Sequence, residues 1–148
     1  MTALVLRTGR THVGQTTRMV RYLSPAWVDE LRAAVAGNRQ AQAAAAGKAL
    51  GITQAVSGGP DGDVVYHFVA DADGISAGPG PARPEHVRFE EDWATASAIA
   101  NGRVNAQEAF ITGRIRFRGD HGGLIEARPV LVALDGALAE LRARTEFT

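Results

Sequence analysis

The chain has 148 residues, enough for one domain with a substantial core, and its 16 Lys and Arg residues balance 16 Asp and Glu. That balance gives no general pull toward nucleic acid, anionic membrane or acidic substrates, and the lack of cysteine excludes disulfides, thiolate nucleophiles and Cys-based zinc sites. No apolar run approaches the ~20 residues of a membrane span. Leu4, Val5 and Leu6 precede the first basic residues, the reverse of a secretory signal's order, so a soluble, cytoplasmic protein is expected. Only Lys48 among the basic residues is lysine, an arginine bias that fits the codon usage of a GC-rich genome better than a function.

Residues 1–22 hold Arg7, Arg10, Arg18 and Arg21 with no acid and no regular period, which reads as a flexible or loosely docked N-terminal arm; residues 23–148 are then one domain. Ser24 followed by Pro25 announces a helix, with Ser as N-cap and Pro at the first helical position. Trp27, Val28, Leu31 and Val35 form its apolar stripe and Gly37 closes it. The alanine-rich stretch from Asn38 to Leu50 predicts a short second helix ending near Gly47 or Gly51, docked weakly or by close backbone approach.

From Ile52 the period changes to two. Ile52 to Val56, Val64 to Val69, Ile75 to Ala77 and His86 to Phe89 are predicted strands, separated by glycine-, aspartate- and proline-rich turns. The short turns imply an antiparallel meander, and the second strand, apolar on both faces, is expected to be central. Glu90, Glu91 and Asp92 then place negative charge at the start of a helix carrying Trp93, Ala96, Ile99 and Ala100 on one face. Gly102 stops it, and Asn105, three residues before Glu108, caps a short helix with Ala109, Phe110 and Ile111. After Gly113 a fifth strand shows Ile115 and Phe117 on one face and Arg114, Arg116 and Arg118 on the other. Asp120 is the N-cap expected for the last helix; Gly122-Gly123 weakens its first turn and Pro129 restarts it. Leu131, Leu134, Leu138 and Leu141 give that helix an amphipathic face that must cover the sheet. Five strands with helices gathered on one face make an α+β layer arrangement.

The run Asn105-Ala-Gln-Glu-Ala-Phe-Ile-Thr-Gly-Arg-Ile-Arg-Phe-Arg-Gly-Asp120, behind an acidic-aromatic helix start, resembles the signature of the sterol carrier protein (sterol-transfer domain) family in its stand-alone, bacterial type. The resemblance spans about Ser24 to Asp120 and extends to the last helix in kind. It implies an α+β fold with a five-stranded, mainly antiparallel sheet, helices on one face and an apolar cavity between them. The implied function is binding or transfer of a sterol, fatty acid or fatty acyl chain, with no cofactor.

No histidine stands at a metal-ligand spacing from another, and no nucleophile elbow or complete calcium loop occurs, so no catalytic or metal site is assigned. Asp61, Asp63, Asp71 and Asp73 read as turn residues, and Gly78-Pro79-Gly80 lacks the third glycine of a dinucleotide fingerprint. The arginine row reads as the solvated face of a sheet, without the alternating aromatics of a nucleic-acid platform. The remaining large apolar residues are Trp27, Leu31, Phe68, Ile75, Phe89, Trp93, Phe110, Ile111, Phe117, Leu124, Ile125, Leu131 and Leu134. Each alone reads as core. They become candidate cavity residues through the resemblance, in which the helix at Trp93, the Ala109-Phe110 pair and the C-terminal helix line the cavity.

The expected partner is a lipid or other hydrophobic small molecule, with no nucleic acid and at most transient membrane contact. Two rival readings stand beside it. One is a structural module that forms a homodimer through Leu131, Leu134 and Leu138 or a sheet edge; the other is an enzyme on a hydrophobic small molecule, with His67, His121 or Asp120 as general base in the pocket.

Overall fold

Local chemistry sets the helix starts in the computed structural model, which describes residues 19–147. Ser24 Oγ accepts from the Trp27 amide at 3.1 Å and opens α1 (Pro25–Ala36), whose Trp27, Val28, Leu31 and Val35 are buried as the stripe requires. Asn38 caps α2 (Arg39–Ala45) through the Ala41 amide at 2.9 Å. Ala41 and Ala45 are fully buried, and α2 packs on the last helix by the close backbone approach that alanine permits.

The strands are β1 (Val20–Arg21), β2 (Leu50–Gly59), β3 (Gly62–Asp71), β4 (Gly74–Pro79), β5 (Val87–Asp92), β6 (Arg116–Gly119) and β7 (Thr145–Glu146). Five form one sheet in the order β4-β3-β2-β5-β6, and β1 pairs in parallel with β7. With helices α3 (Trp93–Ala100), α4 (Ala106–Ile111) and α5 (His121–Arg142), the chain is an α+β domain with a mixed, mostly antiparallel sheet.

The expected meander is corrected at one join. After β4 the chain crosses back and β5 pairs with β2 in parallel, Ile52 opposite Val87 and Gln54 opposite Phe89. The middle strand is therefore β2, and β3 lies between it and the edge strand β4. The Gly80–His86 connection makes this crossover by folding over the far side of β2. There Ala82 N donates to Thr53 Oγ1 at 3.0 Å, and Gly51 N donates to His86 Nδ1 at 2.9 Å. Gly51 has to be glycine, because a Cβ would collide with the Pro84 carbonyl.

Register assigns the two sheet faces. Ile52, Gln54, Val56, Tyr66, Phe68, Val87, Phe89 and Glu91 share one face with Phe117, and the helices cover it. His67, Arg88, Glu90, Arg116 and Arg118 lie on the other. His67 Nδ1 is 3.0 Å from Gly80 O, a satisfied strand histidine, and Arg118 meets Glu90 at 3.1 Å on a solvated face.

Two further expectations change. Pro129 does not restart a helix: α5 runs unbroken from His121, capped by Asp120, because the fully buried Ala127 and Val130 hold it on both sides of the proline. Its core stripe is Ala127, Val130, Leu134, Ala137 and Leu141, while Leu131 and Leu138 are only half-buried. Of the arm expected over residues 1–22, residues 1–18 lie outside the described residues. Val20 and Leu23 are buried, and Val20 N donates to Arg144 O at 2.9 Å.

Candidate ligand cavity

Between the sheet and the helices α3, α4 and α5 lies a cavity of about 1170 Å³. Its floor comes from strand alternation: Tyr66 on β3, Gln54 on β2, and Phe89 and Glu91 on β5 project to one side, with Gln54 paired to Tyr66 and to Phe89 on its two flanks. One wall is α3, through Ala96, Ile99 and Ala100. The opposite wall is α5, which contributes Leu124, Ile125, Leu131, Leu138 and Leu141. Tyr22, Trp27, Thr145 and Phe147 close one end, and Val104, Phe110 and Ile115 stand near the other. The mouth is open to solvent, since Phe110 is 40% and Ile125 73% exposed.

The volume exceeds the few hundred Å³ that a small polar metabolite fills, and the wall residues are chiefly aliphatic and aromatic. Polar residues gather in two places. Arg103, Glu108, Arg128, Asp135 and Arg142 belong to the rim, where Arg142 lies 3.9 Å from Asp135 and its Nε donates to Ala100 O. Deeper in, Tyr22, Tyr66, Gln54 and Glu91 meet the apolar wall.

Glu91 is the exceptional group. Its Oε2 is buried with no hydrogen-bond partner among the described residues. Burial first, and the neighbouring Asp92 charge second, push its carboxyl up to about 7 from an ordinary 4.5. Burial likewise raises both tyrosines, with the Glu91 charge adding to each shift, so both hydroxyls stay protonated. Asp92, by contrast, is held low by the Thr95 amide, which donates to its Oδ1 at 2.7 Å as α3's N-cap.

Of the residues anticipated as cavity lining, Trp27, Phe89, Phe110, Leu124, Ile125 and Leu131 border the space. Leu31, Phe68, Ile75 and Leu134 are instead core, packed between helices and sheet. Trp93 turns to the β2–β3 turn, beside Gly59. Phe117 packs against Phe89 at a tilt of 51° with ring centroids 5.7 Å apart, and Ile111 is 79% exposed. The bases considered for an enzyme do not border the cavity: His67 is on the far face, Asp120 is a cap, and His121 rests by Phe117.

Glu91, Gln54, Tyr66 and Tyr22 border the cavity without belonging to the apolar set that the sequence singles out. Of the three acids that suit a helix start, Glu90 and Glu91 are in β5 and only Asp92 is the cap. The available signal was period: Val87 and Phe89 continue to Glu91 at the same spacing. Among the described residues no group of three His, Asp or Glu side chains could hold a metal ion, and no helix is long and apolar enough to cross a membrane.

An α+β domain with an open cavity between sheet and helices is the class that this geometry defines. No family model and no curated protein matches the sequence. Solved structures match the fold. A crystal structure of sterol carrier protein 2 superposes with a TM-score of 0.62 at 18% identity, covering 82% of this chain and 98% of that one. A conserved hypothetical protein of Thermus thermophilus, described as possibly a sterol carrier protein, gives 0.61 at 17% identity, covering 87% and 93%. The apo form of sterol carrier protein 2 from Yarrowia lipolytica gives 0.54 at 18%, covering 78% and 88%. The chain has the sterol carrier protein 2 fold, as the resemblance over Asn105 to Asp120 implies.

Proposed function

We propose that this protein binds a hydrophobic ligand with a long aliphatic portion, such as a fatty acid, a fatty acyl chain or a sterol, and carries or presents it. The observation that supports the reading most is the cavity of about 1170 Å³ with its aliphatic walls from α3 and α5. Burying apolar ligand surface there would drive binding at about 25 cal/mol per Å² removed from water. The names of the structural neighbours, sterol carrier proteins, point the same way. The cytoplasmic setting expected from the sequence, a binding domain preceded by an arm over the first residues, and a non-enzymatic role belong to the same proposal. A dimerisation module has less support, because Leu134 is consumed by the core while Leu131 faces the cavity.

Native mass spectrometry of the purified protein, followed by denaturing extraction, tests the reading. A stoichiometric lipid, or uptake of a fluorescent fatty acid or of an uncharged fluorescent lipid by the emptied protein, is the expected result. An empty protein that takes up neither probe would overturn it.

A further inference from the structure

The inner end of the cavity is polar in a particular way. Glu91 supplies a carboxyl that borders the cavity, its Oε2 closed off from solvent and unpartnered among the described residues. Tyr22 and Tyr66 supply hydroxyls, of which Tyr22 makes a long bond of 3.4 Å to Ala96 O, and Gln54 supplies an amide. The basic residues that border the cavity, Arg103, Arg128 and Arg142, do not belong to the sheet floor, and burial and Asp92 are the influences felt by the Glu91 carboxyl. A buried acceptor without a donor costs free energy that a ligand can relieve.

From this geometry we infer that Glu91 selects the head group: the deep end of the cavity takes the uncharged hydroxyl of a long-chain alcohol and rejects a carboxylate. The inference rests on the cavity being a lipid site and adds which end-group it accepts. A ligand hydroxyl donates its proton to the Glu91 carboxyl, which borders the cavity, and accepts from a tyrosine hydroxyl, so both partners are satisfied. A carboxylate offers no donor, and at pH 8, where the Glu91 carboxyl is chiefly ionised, it would bring a second negative charge beside it with no cation on the floor to offset it. An ammonium head would have to pass a rim at which Arg103, Arg128 and Arg142 outnumber Glu108 and Asp135. The apolar chain then lies outward along Ile99, Leu131 and Leu138.

The test is displacement of a bound uncharged fluorescent lipid probe by 1-hexadecanol, hexadecanoate and hexadecylamine at pH 8, on the wild-type protein and on Glu91→Gln. Glutamine keeps the shape and brings an amide donor. Wild type is expected to prefer the alcohol to the carboxylate by about tenfold or more, the worth of one buried hydrogen bond made rather than left unmade. In Glu91→Gln the preference should shrink by about tenfold, mainly through tighter carboxylate binding. Equal affinities for alcohol and carboxylate in the wild type, tightest binding of the amine, or an unchanged preference in the variant would each overturn the inference while leaving the lipid site standing. A protein that binds neither the probe nor any of the three would overturn both. The wild-type comparison stands whether or not the variant folds.

Discussion

Gln42 on α2 and Ile75 on the edge strand β4 exchange two hydrogen bonds: Gln42 Nε2 donates to Ile75 O at 2.9 Å, and Ile75 N donates to Gln42 Oε1 at 3.0 Å. The side-chain amide thus stands where a further strand would pair. It satisfies the exposed ladder of one residue and ties the helix layer to the sheet, and its Nε2 also reaches Val35 O at 2.9 Å. Replacing Gln42 with Ala strands a backbone donor and acceptor of a buried residue. We expect a loss of about 1–3 kcal/mol in urea unfolding, with β4 amides exchanging faster while β2 amides keep their protection.

The two half-buried leucines of α5 separate binding from folding. Leu131 and Leu138 border the cavity while Leu134 and Leu141 hold the core. A Leu131→Asn/Leu138→Asn variant is expected to weaken uptake of a fluorescent fatty alcohol by about tenfold or more. Leu134→Ala should instead lower stability by about 2–5 kcal/mol. Probe titration alongside thermal melting distinguishes the two effects.

Leu31 and Ile111 look equally apolar in the sequence but are opposites in the structure. Leu31 has no exposed surface, so Leu31→Ala should cost about 2–5 kcal/mol. Ile111 is 79% exposed on α4, so Ile111→Ser should move stability by no more than about 0.5 kcal/mol. Denaturant midpoints of the two variants check both statements.

Glu91 makes stability depend on pH. Its carboxyl is raised to about 7 by burial and by Asp92, while in the unfolded chain it titrates at its ordinary 4.5. The folded state therefore holds a proton that the unfolded state releases across this range. Its contribution is fully present below about pH 4.5 and is lost as pH rises through about 7. The groups that feel its charge, Tyr22 and Tyr66, stay protonated throughout, and Asp92 stays ionised down to low pH. The stability difference between wild type and Glu91→Gln should move in favour of the variant by up to about 3 kcal/mol between pH 4.5 and 8. A flat difference would show that Glu91 is solvated.

Ala41 and Ala45 explain how a helix without large apolar residues docks. Both are fully buried and α2 lies against α5, so the backbones approach closely. Ala41→Leu is expected to force them apart at a cost of about 1–3 kcal/mol, read as a lower melting temperature.

Helix starts were legible in the sequence, since Ser24, Asn105 and Asp120 each accept from amides within three residues of themselves. So were the five strands of the larger sheet and the solvated face of Arg116 and Arg118, which follow from a period of two, although the last of those strands starts at Arg116 and leaves Arg114 outside it. The signature from Asn105 to Asp120 carried the fold. What tertiary structure alone decided was pairing across distance. β5 joins β2 in parallel instead of following β4, because the Gly80–His86 connection crosses β2 through contacts with Thr53 and Gly51 that its own residues do not announce. That choice also placed Glu91. Three acids in a row suit a helix N-terminus as well as a strand's end, and the pairing of Val56 with Glu91 and Ser57 with Asp92 prolongs the strand up to the cap. The same reason divided the apolar residues. Periodicity tells which way a side chain points from its own element, whereas core or cavity depends on whether another element arrives to fill the space, as for Leu134 and not Leu131.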